Sequence, residues 1–306
     1  MSTRCAAVTG ATGRIGARLM RALLEAGIRV RALSRTGAEP LAGVDWVIGD
    51  LFDPVTLREL LDGADVVIHA AGQLEGPADQ VERSLVTGTR LVADAAKQIR
   101  MVHISSLVVL DTAHGPELID EGSPLEPTPE RRGVYTRAKC AAEELMRARA
   151  ATQDVVIVRP GIVVDHDLRI PASVVLAIGS LRISVGPGGA AMPVVHADDA
   201  AAGLVVAAVR ASAGDLLHLI DPHSVTRDRL YARLDDAERS GVRINIGGAV
   251  LAAAKLANRT RLPTLGDAAY RILSAGSPHR WPAQRIIDLG WRPAHLARWL
   301  GDSGSN

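Results

Sequence analysis

Three features of this 306-residue chain predict an α/β fold, a Rossmann-type doubly wound parallel sheet followed by a smaller C-terminal substrate-binding region. Short apolar runs alternate with amphipathic helical stretches through the first half. A glycine-rich turn directly follows the first run. After Pro160 the rhythm breaks, and Pro171, Pro187, Pro193, Pro222, Pro263, Pro278, Pro282 and Pro293 divide the remainder into shorter pieces.

The predicted strands are Cys5–Thr9, Arg29–Leu33, Asp45–Ile48, Asp65–Ala70, Met101–Ser105 and Val155–Arg159. Near-continuous apolar runs of this kind mark parallel strands covered on both faces. The first helix lines up Ile15, Leu19, Ala22, Leu23 and Ala26 and is closed by Gly27. Asp53-Pro54 opens the next, as N-cap and first-turn proline. Tyr135 opens another, running through about Ala150, and Asp198–Arg210 reads as one more covering helix. Residues 1–165 are therefore expected to form the doubly wound domain, with 191–215 interleaved into it, and 166–306 the smaller second region. Tyr231, Tyr270, Trp281, Trp291 and Trp299 fall in that region and are the candidates for ring stacking with a substrate, Trp291 being assigned to packing.

Composition excludes several classes. At 47% hydrophobic and 23% charged the chain can bury a sizeable core and is not compositionally disordered. A net charge of +1 and only eight aromatic residues supply neither the basic groove nor the stacking platforms of a single-stranded nucleic-acid binder, so no nucleic-acid partner is expected. The longest Ala/Val/Leu stretch, Ala200 to Val209, falls far short of the ~20 residues of a membrane span. No apolar leader precedes the first strand, and a cytoplasmic protein without membrane partners is expected. Cys5 on a strand and Cys140 in a helix suit reduced thiols. Asp165-His166-Asp167 lacks partners at ligand spacing, so no metal site is expected.

The run Thr9-Gly10-Ala11-Thr12-Gly13-Arg14-Ile15-Gly16 sits between the first strand and the first helix. Its glycines permit a tight turn, close approach of backbone to a pyrophosphate and close helix-to-strand packing, while the helix N-terminus supplies N–H groups and a positive dipole end. Strand before and helix after are the context this motif requires. An NAD-specific site needs a carboxylate at the end of the second strand, and Val30-Arg31-Ala32-Leu33-Ser34-Arg35 has none. Arg35, with Ser34 beside it and Arg14 across the glycine loop, is suited instead to clamp a 2′-phosphate. NADP(H) is the expected cofactor, with NAD(H) as the alternative.

Tyr135 and Lys139 lie one turn apart on one helix face. All but three of the 35 basic residues are arginine, so a lysine four residues after one of only three tyrosines is informative. A phenol of pKa ~10 is a poor base at neutral pH, and a fixed ammonium favours its phenolate. A unit charge at ~4 Å and an effective dielectric of ~20 contributes ~4 kcal/mol, about three pKa units.

Taken in order, Gly10-x-x-Gly13-x-x-Gly16, Asp50-Leu51, His69-Ala70-Ala71-Gly72, Ser105-Ser106, Tyr135-x-x-x-Lys139, Arg159-Pro160-Gly161, Val195-His196-Ala197-Asp198-Asp199 and Leu289-Gly290-Trp291-Arg292-Pro293 resemble an extended short-chain dehydrogenase/reductase of the NAD(P)-dependent epimerase/dehydratase family, in the manner of 3β-hydroxysteroid dehydrogenases and dihydroflavonol reductases. The resemblance implies that Asp50 hydrogen-bonds the adenine amino group with Leu51 beside it, and that Ala70 and Ala71 pass under the cofactor, followed by Gly72. It implies that Ser106 holds the substrate oxygen, Tyr135 exchanges its proton, Lys139 binds the nicotinamide ribose, and Pro160 with the following backbone orients the carboxamide. His196 and the Asp198-Asp199 pair read as structural, a strand-end hydrogen bond and an N-cap for the next helix. Members of the family often dimerise through two helices of the sheet layer, which implies a homodimer.

Two departures from the family pattern bear on function. Leu85 stands where an Asn is usual, three residues before Gly88, and Leu107-Val108 replace the acid pair that dehydratases place after the active-site hydroxyl residue. Elimination chemistry is disfavoured. Gly161-Ile162-Val163-Val164-Asp165 replaces the Asn and Tyr-Gly-Pro run common in nucleotide-sugar enzymes, which leans the reading toward reduction or oxidation of a lipophilic or secondary-metabolite carbonyl. Arg169 and Arg182 keep a nucleotide-sugar epimerase as the alternative, and a non-catalytic NAD(P)-binding regulator, disfavoured by the intact Tyr135/Lys139 pair, is the third reading.

Overall fold

The computed structural model describes residues 4–37, 39–166, 176–178, 181–223, 225–233, 242–246, 248–257 and 263–301. In chain order β1 (Cys5–Thr9), α1 (Arg14–Glu25), β2 (Arg29–Ser34), β3 (Val44–Ile48), α2 (Pro54–Leu61) and β4 (Val66–His69) come first. Then follow α3 (Ala78–Glu82), a π-helical turn over Arg83–Thr87, α4 (Gly88–Ala95), β5 (Arg100–Ile104), α5 (Val134–Arg149) and β6 (Val155–Pro160). The second half contributes β7 (Ile162–Val164), β8 (Leu176–Ile178), β9 (Leu181–Val185), β10 (Ala191–Met192), β11 (Val194–His196), α6 (Ala197–Arg210) and β12 (Leu216–Leu219).

Seven of these strands form one sheet in the order β12-β6-β5-β4-β1-β2-β3, every neighbouring pair parallel. Successive strand residues point to opposite faces, and the core divides accordingly. On one face Ala6, Val8, Val30, Ala32, Val66 and Ile68 meet Leu19, Met20 and Leu23 of α1 and Leu204, Ala207 and Ala208 of α6. On the other, Ala7, Val47, Val67, Met101, Val155 and Ile157 meet Leu57 and Leu60 of α2, Val92 and Ala93 of α4, and Met146 of α5. Asp53 caps α2 as its sequence position predicts, accepting the N–H groups of Val55 and Thr56, each at 3.1 Å.

The sheet has one strand more than the six predicted. Leu216-Leu217-His218-Leu219 carries no β-branched residue, so its composition did not mark it as a strand. It is a strand because it pairs with β6, Leu216 opposite Ile157, in the groove left beside α6. The smaller strands form separate pairs, β7 with β11 in parallel and β10 with Val225–Thr226 antiparallel, while β8, β9 and Val242–Ile246 make a three-stranded sheet. Of the five aromatics predicted to be available for stacking, Tyr231, Tyr270 and Trp299 are buried along with Trp291, so packing claims four and leaves Trp281 half-buried. No helix among the described residues is long and apolar enough to cross a membrane.

Candidate active site

The strand order reverses between β1 and β4, and the glycine loop lies at the carboxyl end of that junction. Gly10 adopts φ +70°, and a Cβ there would lie 2.6 Å from both the carbonyl carbon of Ala70 and the amide nitrogen of Ala71. A Cβ on Gly16 would lie 2.0 Å from the Gly10 carbonyl oxygen. The loop is therefore pressed onto Ala70-Ala71 and onto its own helix, as only glycine allows. Gly13 donates its N–H to Gly10 O at 3.0 Å and serves as N-cap of α1, whose first N–H groups receive no side-chain cap and whose first turn holds no acid. Thr12 and Arg14 are exposed and Ile15 is half-buried. An uncapped helix N-terminus behind a loop with glycine at 10 and 13 fits the diphosphate of NAD(P).

At the end of β2, Ser34 is buried and donates to Gly37 O at 3.1 Å, while Arg35 is exposed and, among the described residues, makes no hydrogen bond or ion pair. Arg14 is engaged elsewhere: its Nε lies 3.4 Å from Asp165 Oδ2, an oxygen it shares with Arg18 Nη2 at 3.2 Å. The buried Asp165 carboxylate requires counter-charge, which Arg14 and Arg18 supply. Asp50 is exposed and its Oδ1 accepts the Phe52 N–H at 2.9 Å, which fixes the orientation of the carboxylate. Leu51 is buried against the backbone of Gly88.

The Tyr/Lys pair sits where the helical spacing places it, in the first two turns of α5. Lys139 is 8% exposed and its Nζ donates to Ile104 O at 2.8 Å. Burial brings its pKa down to about 8, with Glu143 pulling the other way. Ser106 follows β5, and its Oγ accepts the Val108 N–H at 3.2 Å, starting a short 3-10 turn. Burial pushes the Tyr135 phenol above its ordinary pKa, and hydrogen bonding with the Ser106 hydroxyl pulls it down by less. The sequence argument expected the ammonium to draw the phenol down. In the structure the ammonium is turned to a main-chain carbonyl, desolvation governs both groups, and Tyr135 is a protonated phenol at neutral pH. Pro160 closes β6, buried, and Gly72 is exposed on the loop after β4.

Beneath the loop runs a one-way chain of hydrogen bonds that the sequence did not reveal. Thr89 Oγ1 donates to Leu85 O at 2.6 Å, so His69 Nε2 must be the donor to Thr89 at 3.1 Å, and His69 Nδ1 accepts from Thr9 Oγ1 at 2.7 Å. Thr9 Oγ1 in turn accepts the Ala71 N–H at 3.3 Å. Burial lowers the His69 pKa to about 3, which keeps the ring neutral. The chain ties the cofactor-facing backbone to the π-helical turn, where Leu85 is buried among Val81, Ala138 and the flank of Tyr135. Leu85 thus acts as packing where the family pattern has an amide.

Glu143, one turn beyond Lys139, also escaped the sequence reading; its spacing from Lys139 was the available signal. It pairs with Arg159 at 2.6 Å, both side chains fully buried.

The caps of α6 are distributed differently from the expectation. His196 itself is the N-cap, its Nδ1 accepting the Asp198 N–H at 3.3 Å. Asp199 instead accepts the N–H groups of Ala294, His295 and Leu296 at 2.9, 2.9 and 3.2 Å, together with His295 Nδ1 at 2.8 Å. His196, Asp199 and His295 thereby bring metal-ligand-type atoms within 4.8 Å of one another, a grouping that no local spacing could announce, and the hydrogen bonds just given already occupy the carboxylate. Asp167 and Arg169 lie outside the described residues, as does the side chain of Arg182.

Residues 6–218 match the NAD dependent epimerase/dehydratase family. The chain is 31% identical over 292 residues, 91% of its length and 84% of the relative's, to a 4-hydroxy-2-methyl-3-oxo-4-farnesyl-3,4-dihydroquinoline-1-oxide ketoreductase of Stigmatella aurantiaca. It is 33% identical over 207 residues, 65% of its own length and 59% of the relative's, to a ceramide reductase of Caulobacter vibrioides. Among solved structures, a short-chain dehydrogenase/reductase superfamily protein of Agrobacterium tumefaciens with bound NAD superimposes with a TM-score of 0.72 at 20% identity, covering 98% of this chain and 96% of that one.

Proposed function

The chain belongs to the NAD dependent epimerase/dehydratase family of extended short-chain dehydrogenases/reductases, NAD(P)-dependent oxidoreductases, and we propose that it is an NADP-dependent reductase of a lipophilic or secondary-metabolite ketone. The observation that carries this reading is the hydrogen bond between the Tyr135 phenol and the Ser106 hydroxyl, with Lys139 buried one turn along the same helix. The bound nicotinamide supplies the hydride.

Ser106 Oγ holds the ketone oxygen, and Tyr135 delivers the proton to that oxygen as the alkoxide forms, a transfer that fits a phenol whose protonated form burial favours. Lys139, one turn along α5 from Tyr135, is the residue that would hold the nicotinamide ribose. Residues 1–165 with 191–215 hold the cofactor, and 166–306 receive the substrate. Arg35, exposed and without an internal hydrogen bond or ion pair among the described residues, and with no carboxylate next to it in the sequence, supports the 2′-phosphate preference. The farnesylated substrate named for the ketoreductase relative and the sphingolipid named for the ceramide reductase both support a lipophilic carbonyl.

The test is NADPH oxidation with a panel of prenylated, aryl and long-chain ketones, in wild type and Tyr135→Phe. Net oxidation that disappears in Tyr135→Phe, with NADPH binding retained, is the expected outcome. Exchange of UDP- or dTDP-sugar epimers without net oxidation would make the protein an epimerase. Cofactor binding without any turnover would make it a regulator.

A further inference from the structure

Tyr135, Lys139, Glu143 and Arg147 recur every fourth residue along α5 and so form one stripe. Glu143 is the member that reaches both neighbouring strands. Its Oε2 accepts the Ser105 hydroxyl at 2.6 Å and Arg159 Nε at 3.0 Å, and its Oε1 accepts Arg159 Nη2 at 2.6 Å and Arg147 Nε at 2.9 Å. Ser105 immediately precedes Ser106, and Arg159 immediately precedes Pro160. One carboxylate is thus fastened beside three working parts of the site: the hydroxyl residue after β5, the proline that closes β6, and the lysine one turn back along α5.

Stability alone is a weak reason for a charge in this place. Replacing a buried ion pair with apolar residues of similar volume is often neutral or stabilising, because desolvation offsets the attraction. Four charge-assisted hydrogen bonds of fixed direction do supply relative position. We propose that Glu143 is a positioning residue of the active site, setting the placement of Ser106 and Pro160 against Tyr135 and Lys139 through its bonds to Ser105 and Arg159. Its charge has a second effect, since it favours the ammonium form of Lys139. Among the described residues the other titratable groups around Lys139 are His69 on β4, His103 on β5, and Tyr135 and Cys140 on α5 itself; burial keeps the two imidazoles neutral and pushes the phenol and the thiol up, so Glu143 is the anion that opposes desolvation there.

The turnover arm of the test rests on the reductase reading; the lysine arm needs no substrate. With only three lysines in the chain, protein labelled with 13C-lysine gives three side-chain signals, and the one missing in Lys139→Met is Lys139. In Glu143→Gln, Lys139 is expected to titrate at a pH lower by about 0.5 or more, while Ser105→Ala leaves it in place. With NADPH and the best ketone of the panel, Glu143→Gln is expected to lower kcat about tenfold or more, and Ser105→Ala about threefold, with KM for NADPH within about twofold. Glu143→Asp, which keeps the charge but shortens the reach, is expected to hold the Lys139 titration and lose kcat. A folded Glu143→Gln with an unmoved Lys139 signal overturns the proposal even if no ketone is turned over. Should Glu143→Gln not fold, an unchanged kcat in Ser105→Ala overturns it. Absence of turnover in the wild type counts against the reductase reading alone.

Discussion

Lys139 Nζ, on a buried side chain, donates to the main-chain carbonyl of Ile104 at 2.8 Å. Desolvation there brings the ammonium to a pKa of about 8, so the charged form dominates below that pH and is lost above it. For NADPH-dependent ketone reduction, kcat/KM reports the free enzyme and is expected to be flat below pH 8 and to fall about tenfold per pH unit beyond it. The check is a profile from about pH 6 to 10; Lys139→Arg, which cannot lose its charge, removes the limb.

Arg35 carries no internal hydrogen bond or ion pair among the described residues, so its removal changes stability by less than about 0.5 kcal/mol. Its expected effect falls on cofactor choice. Arg35→Ala should reduce the preference for NADPH over NADH by about tenfold or more, the size of one charge-assisted contact to phosphate. Fluorescence titration with both cofactors measures this, and an unchanged ratio removes the assignment of NADP.

His69, His103 and His218 are all held neutral by burial, His69 and His218 down to about 3 and His103 well below its ordinary value. A folded-state pKa below the unfolded one means that the unfolded chain takes up protons first as pH falls. The stability these residues share in is complete above about pH 6.5 and is lost progressively on acidification. Among the described residues neither ring nitrogen of His103 has a hydrogen-bond partner, so His103→Leu sacrifices none there. Between pH 7 and pH 5 the variant is expected to lose about 2 kcal/mol less than wild type in urea unfolding. Parallel losses would show that His103 is charged in the native state.

Asp199 gathers three consecutive N–H groups at the start of the helix His295–Trp299. Asp199→Ala strands those donors beside buried Leu296 and Trp299 and is expected to cost about 2–4 kcal/mol, read as a fall in Tm of about 4–8 °C. Asp198→Ala, on an exposed side chain, provides the control and should move Tm little.

What could be read from the sequence was what repeats or abuts along the chain. The parallel strands announced themselves as apolar runs, α2 through Asp53-Pro54, and the Tyr135/Lys139 pair through its helical spacing. Leu216–Leu219 was missed because its strand character comes from pairing with β6 rather than from its own residues. The sense of the Tyr135 shift was misjudged because a charge one turn away acts through its orientation and hydration, and neither is encoded in spacing. Glu143 with Arg159, His69 with Thr9 and Thr89, and Asp199 with His295 bridge separate segments, and such partners become visible only once the sheet has aligned them.

The placement of α6 and β12 also governs how the protein is made. α6 supplies Leu204, Ala207 and Ala208 to cover α1 and the β1–β2 face, yet it lies beyond residue 196 and its following strand ends at Leu219. A ribosome adding ~5–20 residues per second needs roughly 3–11 s to extend the chain from residue 165 to that strand. Throughout that interval the nascent cofactor half presents Leu19, Leu23 and the open side of β6 to its surroundings, an apolar face and a strand edge of the kind that holdase chaperones engage.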